Sequence, residues 1–286
     1  MQGKLRAAID TRPVAAGLLL SACSLVIDAD RQQCDVDADC ARLGSEFEDG
    51  VCVEALCRVR PDPRWDCLDE EPTALAVSVP ERIRVIVPIV DVVTGEQVPG
   101  VEVMACGALD GECVMPLAAG VTNQRGESEL QLPGGFNGYL RCQAPNIFPT
   151  LYFFGAALTE DSVALVNVVA PAVVQGLESQ AVDVTVPGRS RLVVDVLDCT
   201  GAPAAGVRVS IPEGDAATIV GYNVDGLYPP SQMETSNSGV ARVLNVAEGN
   251  VTITGRLADG RVIGSAAVLT RQQFVTLATL RAGQAP

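Results

Sequence analysis

Ten residues of this chain occur twice on one skeleton. Residues 94–103 read Thr-Gly-Glu-Gln-Val-Pro-Gly-Val-Glu-Val and residues 200–209 read Thr-Gly-Ala-Pro-Ala-Ala-Gly-Val-Arg-Val, both Thr-Gly-x4-Gly-Val-x-Val at an offset of 106. A second pair, Thr122-Asn-Gln-Arg-Gly126 and Thr235-Ser-Asn-Ser-Gly239, recurs at an offset of 113. Each of these precedes an alternating run, Glu127 to Leu132 and Val240 to Val246, and one loop insertion of seven residues reconciles the offsets. Duplication of this kind means that one unit is built twice. The skeleton also specifies the unit. Thr-Gly closes a turn, the next glycine permits a tight return at positive φ, and Val-x-Val then buries alternate side chains as a strand.

The same texture runs through the chain from residue 81. Ile83, Val85, Val87 and Ile89 alternate with Arg84, Ile86 and Pro88, the period-2 mark of a strand with one strongly apolar face. Turn signals recur at short intervals: Thr94-Gly95, Asp110-Gly111, Arg125-Gly126, Gly134-Gly135, Asp225-Gly226, Ser238-Gly239 and Asp259-Gly260. The expected class is all-β, with two tandem sandwiches over 81–180 and 190–282. The first copy, through Asp91, Gly95, Pro99, Gly100, Val101, Val103, Gly126, Leu132, Gly138 and Tyr139, resembles carboxypeptidase regulatory-like domains, relatives of prealbumin-type sandwiches. The second copy matches through Asp198, Gly201, Pro203, Gly206, Val207, Val209 and Gly239, and departs where Asn250-Val-Thr replaces Gly138-Tyr-Leu. The resemblance implies seven-stranded, Ig-like Greek-key sandwiches that serve as accessory, stalk or binding modules and bring no catalytic residues. The apolar segment 162–174 is expected to be one buried strand of the first sandwich.

The amino terminus has a different character. Lys4, Arg6 and Arg12 precede a short apolar run, Val14 to Leu20, and then Leu20-Ser21-Ala22-Cys23. Basic, apolar and small-residue segments in that order describe a secretory signal, and the run is roughly half the ~20 residues a bilayer crossing needs. With Cys23 directly after the small pair, the segment resembles the lipobox of bacterial lipoproteins; an ordinary secretion signal with an incidental cysteine is the alternative. The resemblance implies removal of 1–22, a lipid on Cys23 as the attachment to the membrane, and, with Ser24 in place of Asp, an outer-membrane or cell-surface location.

Nine further cysteines follow: Cys34, Cys40, Cys52, Cys57, Cys67, Cys106, Cys113, Cys142 and Cys199. In an exported chain they point to disulfides, and their odd number leaves one unmatched. Cys34, Cys40, Cys52 and Cys57 fall in an acid-rich stretch, 23–57, too poor in apolar residues to fold without bridges; three pairings are open. The stretch resembles the small cysteine-rich modules that follow the lipobox in surface lipoproteins. Residues 58–80, with four prolines, are expected to be a linker whose Trp65 packs on a neighbouring module. In the first sandwich a Cys106–Cys142 bridge is preferred, with Cys113 competing. The spacings do not reproduce the Cys-x2-Cys knuckles of zinc sites, so no metal centre is expected. Asp35, Asp37 and Asp39 alternate after Asp28 and Asp30 like the opening of a calcium loop, but Cys40 and Ala41 stand where the loop glycine belongs. A solvated acidic loop is the expectation.

Composition removes whole classes of chemistry. The chain of 286 residues has no histidine, and its only lysine is Lys4 in the signal. Histidine triads, Cys-His dyads, Ser-Lys dyads and lysine Schiff bases are therefore closed to the processed chain. Removal of 1–22 takes three basic residues and one acid from the 20 and 35 present, leaving 17 and 34, a net of −17. Such a surface repels phosphate backbones, so no nucleic-acid partner is expected. Six of eleven aromatics lie in 136–154 (Phe136, Tyr139, Phe148, Tyr152, Phe153 and Phe154), where they are expected in the core rather than as a sugar platform. The function expected is a non-enzymatic, lipid-anchored surface protein without catalytic residues or cofactor. A carbohydrate- or protein-binding receptor is the alternative, and a carboxylate hydrolase a remoter one.

Overall fold

The computed structural model describes residues 33–44, 47–58, 62–68, 79–180 and 186–283. The chain divides into two compact units, Met1–Arg60 and Pro61–Pro286. In the first, a short helix α1 (Asp37–Cys40) precedes a hairpin of β1 (Val51–Val53) and β2 (Leu56–Arg58). The hairpin turns at Glu54-Ala55, both at positive φ. Cys34 is bonded to Cys52 and Cys40 to Cys57, and the buried sulfurs form its small core with Phe47. The sulfurs of Cys34, Cys40 and Cys57 lie within 4.8 Å of one another, but all three are spent in bridges and none is a thiolate. The calcium-like acids are engaged by the backbone: the Asp39 carboxylate accepts the Asp35 and Val36 N–H groups, and that of Asp37 the Cys52 N–H.

The second unit is all-β, two sandwiches in tandem. The first comprises β3 (Arg82–Asp91), β4 (Glu102–Gly107), β5 (Ala118–Val121), β6 (Glu127–Pro133), β7 (Gly138–Gln143), β8 (Thr150–Phe153), β9 (Ser162–Val163) and β10 (Val166–Val168). The second comprises β11 (Ser190–Leu197), β12 (Arg208–Ser210), β13 (Ile219–Tyr222), β14 (Val240–Val246), β15 (Gly249–Arg256), β16 (Val262–Thr270) and β17 (Val275–Arg281). The repeat is visible in the pairing. β3 lies antiparallel to β6 and parallel to β10, just as β11 lies antiparallel to β14 and parallel to β17. β4–β7–β8 is matched by β12–β15–β16. One strand changes allegiance: β5 joins β4, whereas β13 joins β14.

The two sandwiches are not separate bodies. β17 pairs in parallel with β11 on one side and with β8 on the other, Val275 opposite Thr150 and Leu277 opposite Tyr152. This fuses a sheet of each sandwich into one eight-stranded sheet, ordered β13-β14-β11-β17-β8-β7-β4-β5. On one face Val103, Ala105 and Leu140 meet Ile83, Val85, Val87 and Ile89 of β3 in the first core. On the other, Leu192, Val194, Val196 and Leu280 meet Val251, Ile253 and Ile263 in the second, and Tyr139 and Phe153 of the first copy join them.

The repeated motif residues are structural. Thr122 Oγ1 donates to the Val98 carbonyl and accepts the Val101 N–H; Thr235 Oγ1 does the same with Ala204 and Val207. Both threonines are buried, so each satisfies two backbone groups that a tight turn would orphan. Gly126 and Gly239 sit at φ 67° and 66°. A Cβ there would lie 2.8 Å from the Val98 nitrogen and 2.6 Å from the Val196 oxygen respectively. Gly126→Ala or Gly239→Ala should therefore cost about 2–4 kcal/mol, combining left-handed strain with overpacking, read as a lowered unfolding midpoint in urea.

Two expectations need correction. Cys106 is bonded to Cys113, and Cys142 is the one free cysteine among the described residues, and is buried. In the β4–β7 register Cys106 faces Tyr139 and Cys142 faces Val103. An offset of three residues puts the two thiols on opposite faces of the sheet. Segment 162–174 is not one strand: β9 and β10 are short, and a helix α2 (Pro171–Gln180) starts at the proline. Within the expected linker, residues 62–68 include a Trp65 that packs on a neighbouring module, as expected. They form a 3-10 turn (Pro63–Leu68) whose Trp65 is buried in the second core and whose Cys67 is bonded to Cys199.

Candidate functional site

The fused sheet creates a re-entrant corner. Among the described residues the outer face over β17, β11 and β14 is flanked by β10 and α2 of the first sandwich. Odd-numbered positions of β11 point to the core-free face because Leu192, Val194 and Val196 point the other way. The resulting cleft has two connected hollows of about 830 and 430 Å³ that share Arg191 and Leu244. The smaller has the floor Val193, Leu244, Val275 and Leu277. Both volumes are of the size that holds small ligands or short peptide segments.

Three charged side chains are set into this apolar floor. The Arg191 guanidinium lies over the Phe148 ring, 5.3 Å from its centroid, and that of Arg242 over Tyr228 at 4.1 Å. Tyr228 in turn rests on Gly221, where a Cβ would meet its ring at 3.6 Å. Stacking fixes each guanidinium plane against its ring. The Arg242 Nε is buried without a hydrogen-bond partner. Register places Arg191 opposite Leu244 and Arg242 opposite Val193, so the two arginines are diagonal neighbours. Asp195 follows on β11, opposite Val240 and Thr279. Its side chain still reaches solvent, but the surrounding walls crowd out enough water to push its carboxyl above the usual range. No hydrogen bond or ion pair to it is formed among the described residues. Burial also lowers Arg191 and raises Tyr152, whose hydroxyl additionally feels the charge of Asp195. Beside the cleft Arg189 is spoken for by Asp215 at 2.6 Å.

The residues singled out in the sequence lie elsewhere. Cys23 and the signal segment lie outside the described residues. Cys34, Cys40, Cys52, Cys57 and Cys106 are in bridges, and burial pushes the Cys142 thiol up to about 12, which keeps it protonated. Of the clustered aromatics, Phe136, Tyr139 and Phe153 are buried, Tyr152 and Phe154 pack partly buried against the first core, and Phe148 alone reaches the cleft. Sequence reasoning did not reach Arg191, Asp195 or Arg242. Their signal is an outward strand position in β11 or β14 that stands beside a wall, and that wall belongs to the other repeat.

No protein-family model and no curated protein matches the chain. Among solved structures, the TIE protein of Bacillus anthracis is 13% identical over 70% of this chain and 34% of its own, at a TM-score of 0.23. A minor pilin of Streptococcus agalactiae is 14% identical over 70% of this chain and 95% of its own, with a TM-score of 0.23. The shaft pilin of Lactobacillus rhamnosus GG is 11% identical over 72% and 98%, again at 0.23. Overlaps of this size leave the chain's role to be read from its own residues.

Proposed function

We propose that the chain is a non-enzymatic binding protein of the cell surface, lipid-anchored at Cys23, with the cleft beside the fused sheet as its binding surface. Its two sandwiches, read as carboxypeptidase regulatory-like modules, form the rigid frame. The observation that carries the binding role is the cleft's chemistry: a carboxylate and two aromatic-stacked guanidiniums set in an apolar floor. A concave, largely apolar site with a few convergent charged groups is the ordinary form of a binding surface. Four disulfides among the described residues support export to an oxidising compartment. No helix among the described residues is long and apolar enough to cross a membrane, and the order of basic, apolar and Leu-Ser-Ala-Cys segments supports a lipid on Cys23, with Ser24 favouring the outer membrane. Two or more acyl chains, at ~0.8 kcal/mol per buried methylene, make a firm tether. Cys23→Ser should move the protein from the membrane to the soluble exported fraction; retention of the variant in membranes would refute the anchor.

A further inference from the structure

We infer that the chain pairs with a second copy of itself through the free edge of β5 and the disulfide-closed loop that leads into it. This surface is separate from the cleft, since no residue of 106–121 lines either hollow. The connection from β4 to β5 holds large apolar side chains in water. Leu109 is fully exposed, Val114 and Met115 are 76% and 79% exposed, and Leu117 and Val121 more than half. The loop is fastened from several sides. Cys106 is bonded to Cys113, the Asp110 carboxylate accepts the Val114 and Met115 N–H groups, and the Tyr139 hydroxyl donates to the Asp110 carbonyl. Arg141 Nη1 donates to the Glu112 carbonyl, and Arg271 pairs with the Glu112 carboxylate. Both acids of the loop are thus engaged, which leaves an apolar tip on a chain of net charge −15. The repeat supplies a comparison. The matching connection of the second copy, from β12 to β13, buries Ile211 and exposes Glu213 and Asp215, so the fold does not require an apolar loop here.

A partner with a peptide backbone fits this face better than a lipid surface does. β5 ends the eight-stranded sheet, and among the described strands it pairs with β4 alone. The Thr122 N–H donates to the Val101 carbonyl on the β4 side, so by alternation Ala119 and Val121 turn their N–H and C=O groups to the free edge. Hydrocarbon would leave those groups unanswered, whereas a strand satisfies them. β5 is also complementary to itself. Leu117, Ala119 and Val121 are exposed on its outer face. Antiparallel pairing about a two-fold axis at Ala119 sets Leu117 of each copy beside Val121 of the other, with no charge at the axis. Loop and strand expose on the order of 600 Å² of apolar surface, at the top of the about 300–600 Å² patch that a monomer ordinarily shows. Two such patches, with the ladder and its margins, approach the about 1,600 Å² of a standard interface. The fastened loop meets its partner at little cost in ordering.

Sedimentation equilibrium of the full chain carrying Cys23→Ser, so that no lipid contributes, tests the pairing. A dimer with a Kd of about 10 μM or below is expected. Met115→Glu together with Leu117→Glu should weaken it at least about a hundredfold. Both side chains are exposed, so the urea midpoint of that variant should stay where it is. Cys106→Ser with Cys113→Ser loosens the loop and should weaken the dimer about tenfold. Ala119→Cys should cross-link two copies on oxidation, because residues opposite each other in a hydrogen-bonded antiparallel pair lie about 5.5 Å apart, within disulfide reach. A monomer at about 100 μM, or a dimer indifferent to the two glutamates, overturns the proposal. A dimer that Ala119→Cys fails to cross-link overturns the pairing of β5 with β5. A monomer that binds phosphatidylcholine vesicles, and loses them with the same two glutamates, overturns the second copy in favour of a membrane.

Discussion

Replacing Cys67 and Cys199 with serine is expected to destabilise the Pro61–Pro286 unit by about 2–5 kcal/mol, the largest loss from any one bridge. The bond spans 132 residues and encloses the whole first sandwich, whereas Cys106–Cys113 spans 7. Loop entropy in the unfolded chain grows with span, so the long bridge should matter more than the short one. Its loss also frees the 3-10 turn that holds Trp65 in the second core, and a tryptophan removed from a core adds its own cost. Equal urea midpoints for the two serine pairs would refute the entropic account. The bridge has a mechanical consequence too. Tension from the amino-terminal side reaches the second sandwich through Cys67–Cys199 and bypasses the first. Stretching the chain end to end under oxidising conditions should leave residues 68–198 unextended. Reduction should add about 450 Å of extension. If the oxidised chain already shows that length, the bridge does not carry the load.

Much of this architecture can be read from residues alone, and the exceptions have definite causes. Glycine at positive φ, a buried turn threonine and alternating valines act locally, so the two copies and their strands were legible. The fusion of the sandwiches was not, because β17 and β8 join through backbone hydrogen bonds that any sequence can make. One trace existed: Leu151-Tyr-Phe-Phe154 is apolar at successive positions, as a strand covered on both faces must be. Pro171 was a missed start signal for α2, since a proline suits the first helical turn better than a central strand. The Cys106 pairing depended on which face each thiol occupies, and one residue of register reverses that. The cleft was hidden for the same reason as the fusion. Arg191, Val193 and Asp195 look like an ordinary solvent face until the first repeat supplies their wall.

The fused sheet makes the strongest structural prediction. Ending the chain at Arg271 removes β17 alone. That strand lies between β11 and β8, so its loss opens two strand edges at once. It also strips Ala278 and Leu280 from the second core and Leu277 from the margin of the first. A buried leucine is worth about 2–5 kcal/mol. Together with seven residues of ladder on the β11 side, the loss rivals the 5–15 kcal/mol that keeps a typical domain folded. The second sandwich should therefore fail to fold. The first should keep its core, lose stability at β8, and self-associate through the bared edge. Intact chain should melt in one calorimetric transition, and Leu280→Ala should lower that transition without splitting it. In the truncated chain, amide exchange should become fast throughout 190–270 while β3 stays protected. Two separate transitions in the intact chain, or slow exchange across β11 and β14 after truncation, would mean that the sandwiches stand independently and that the continuous sheet does not couple them.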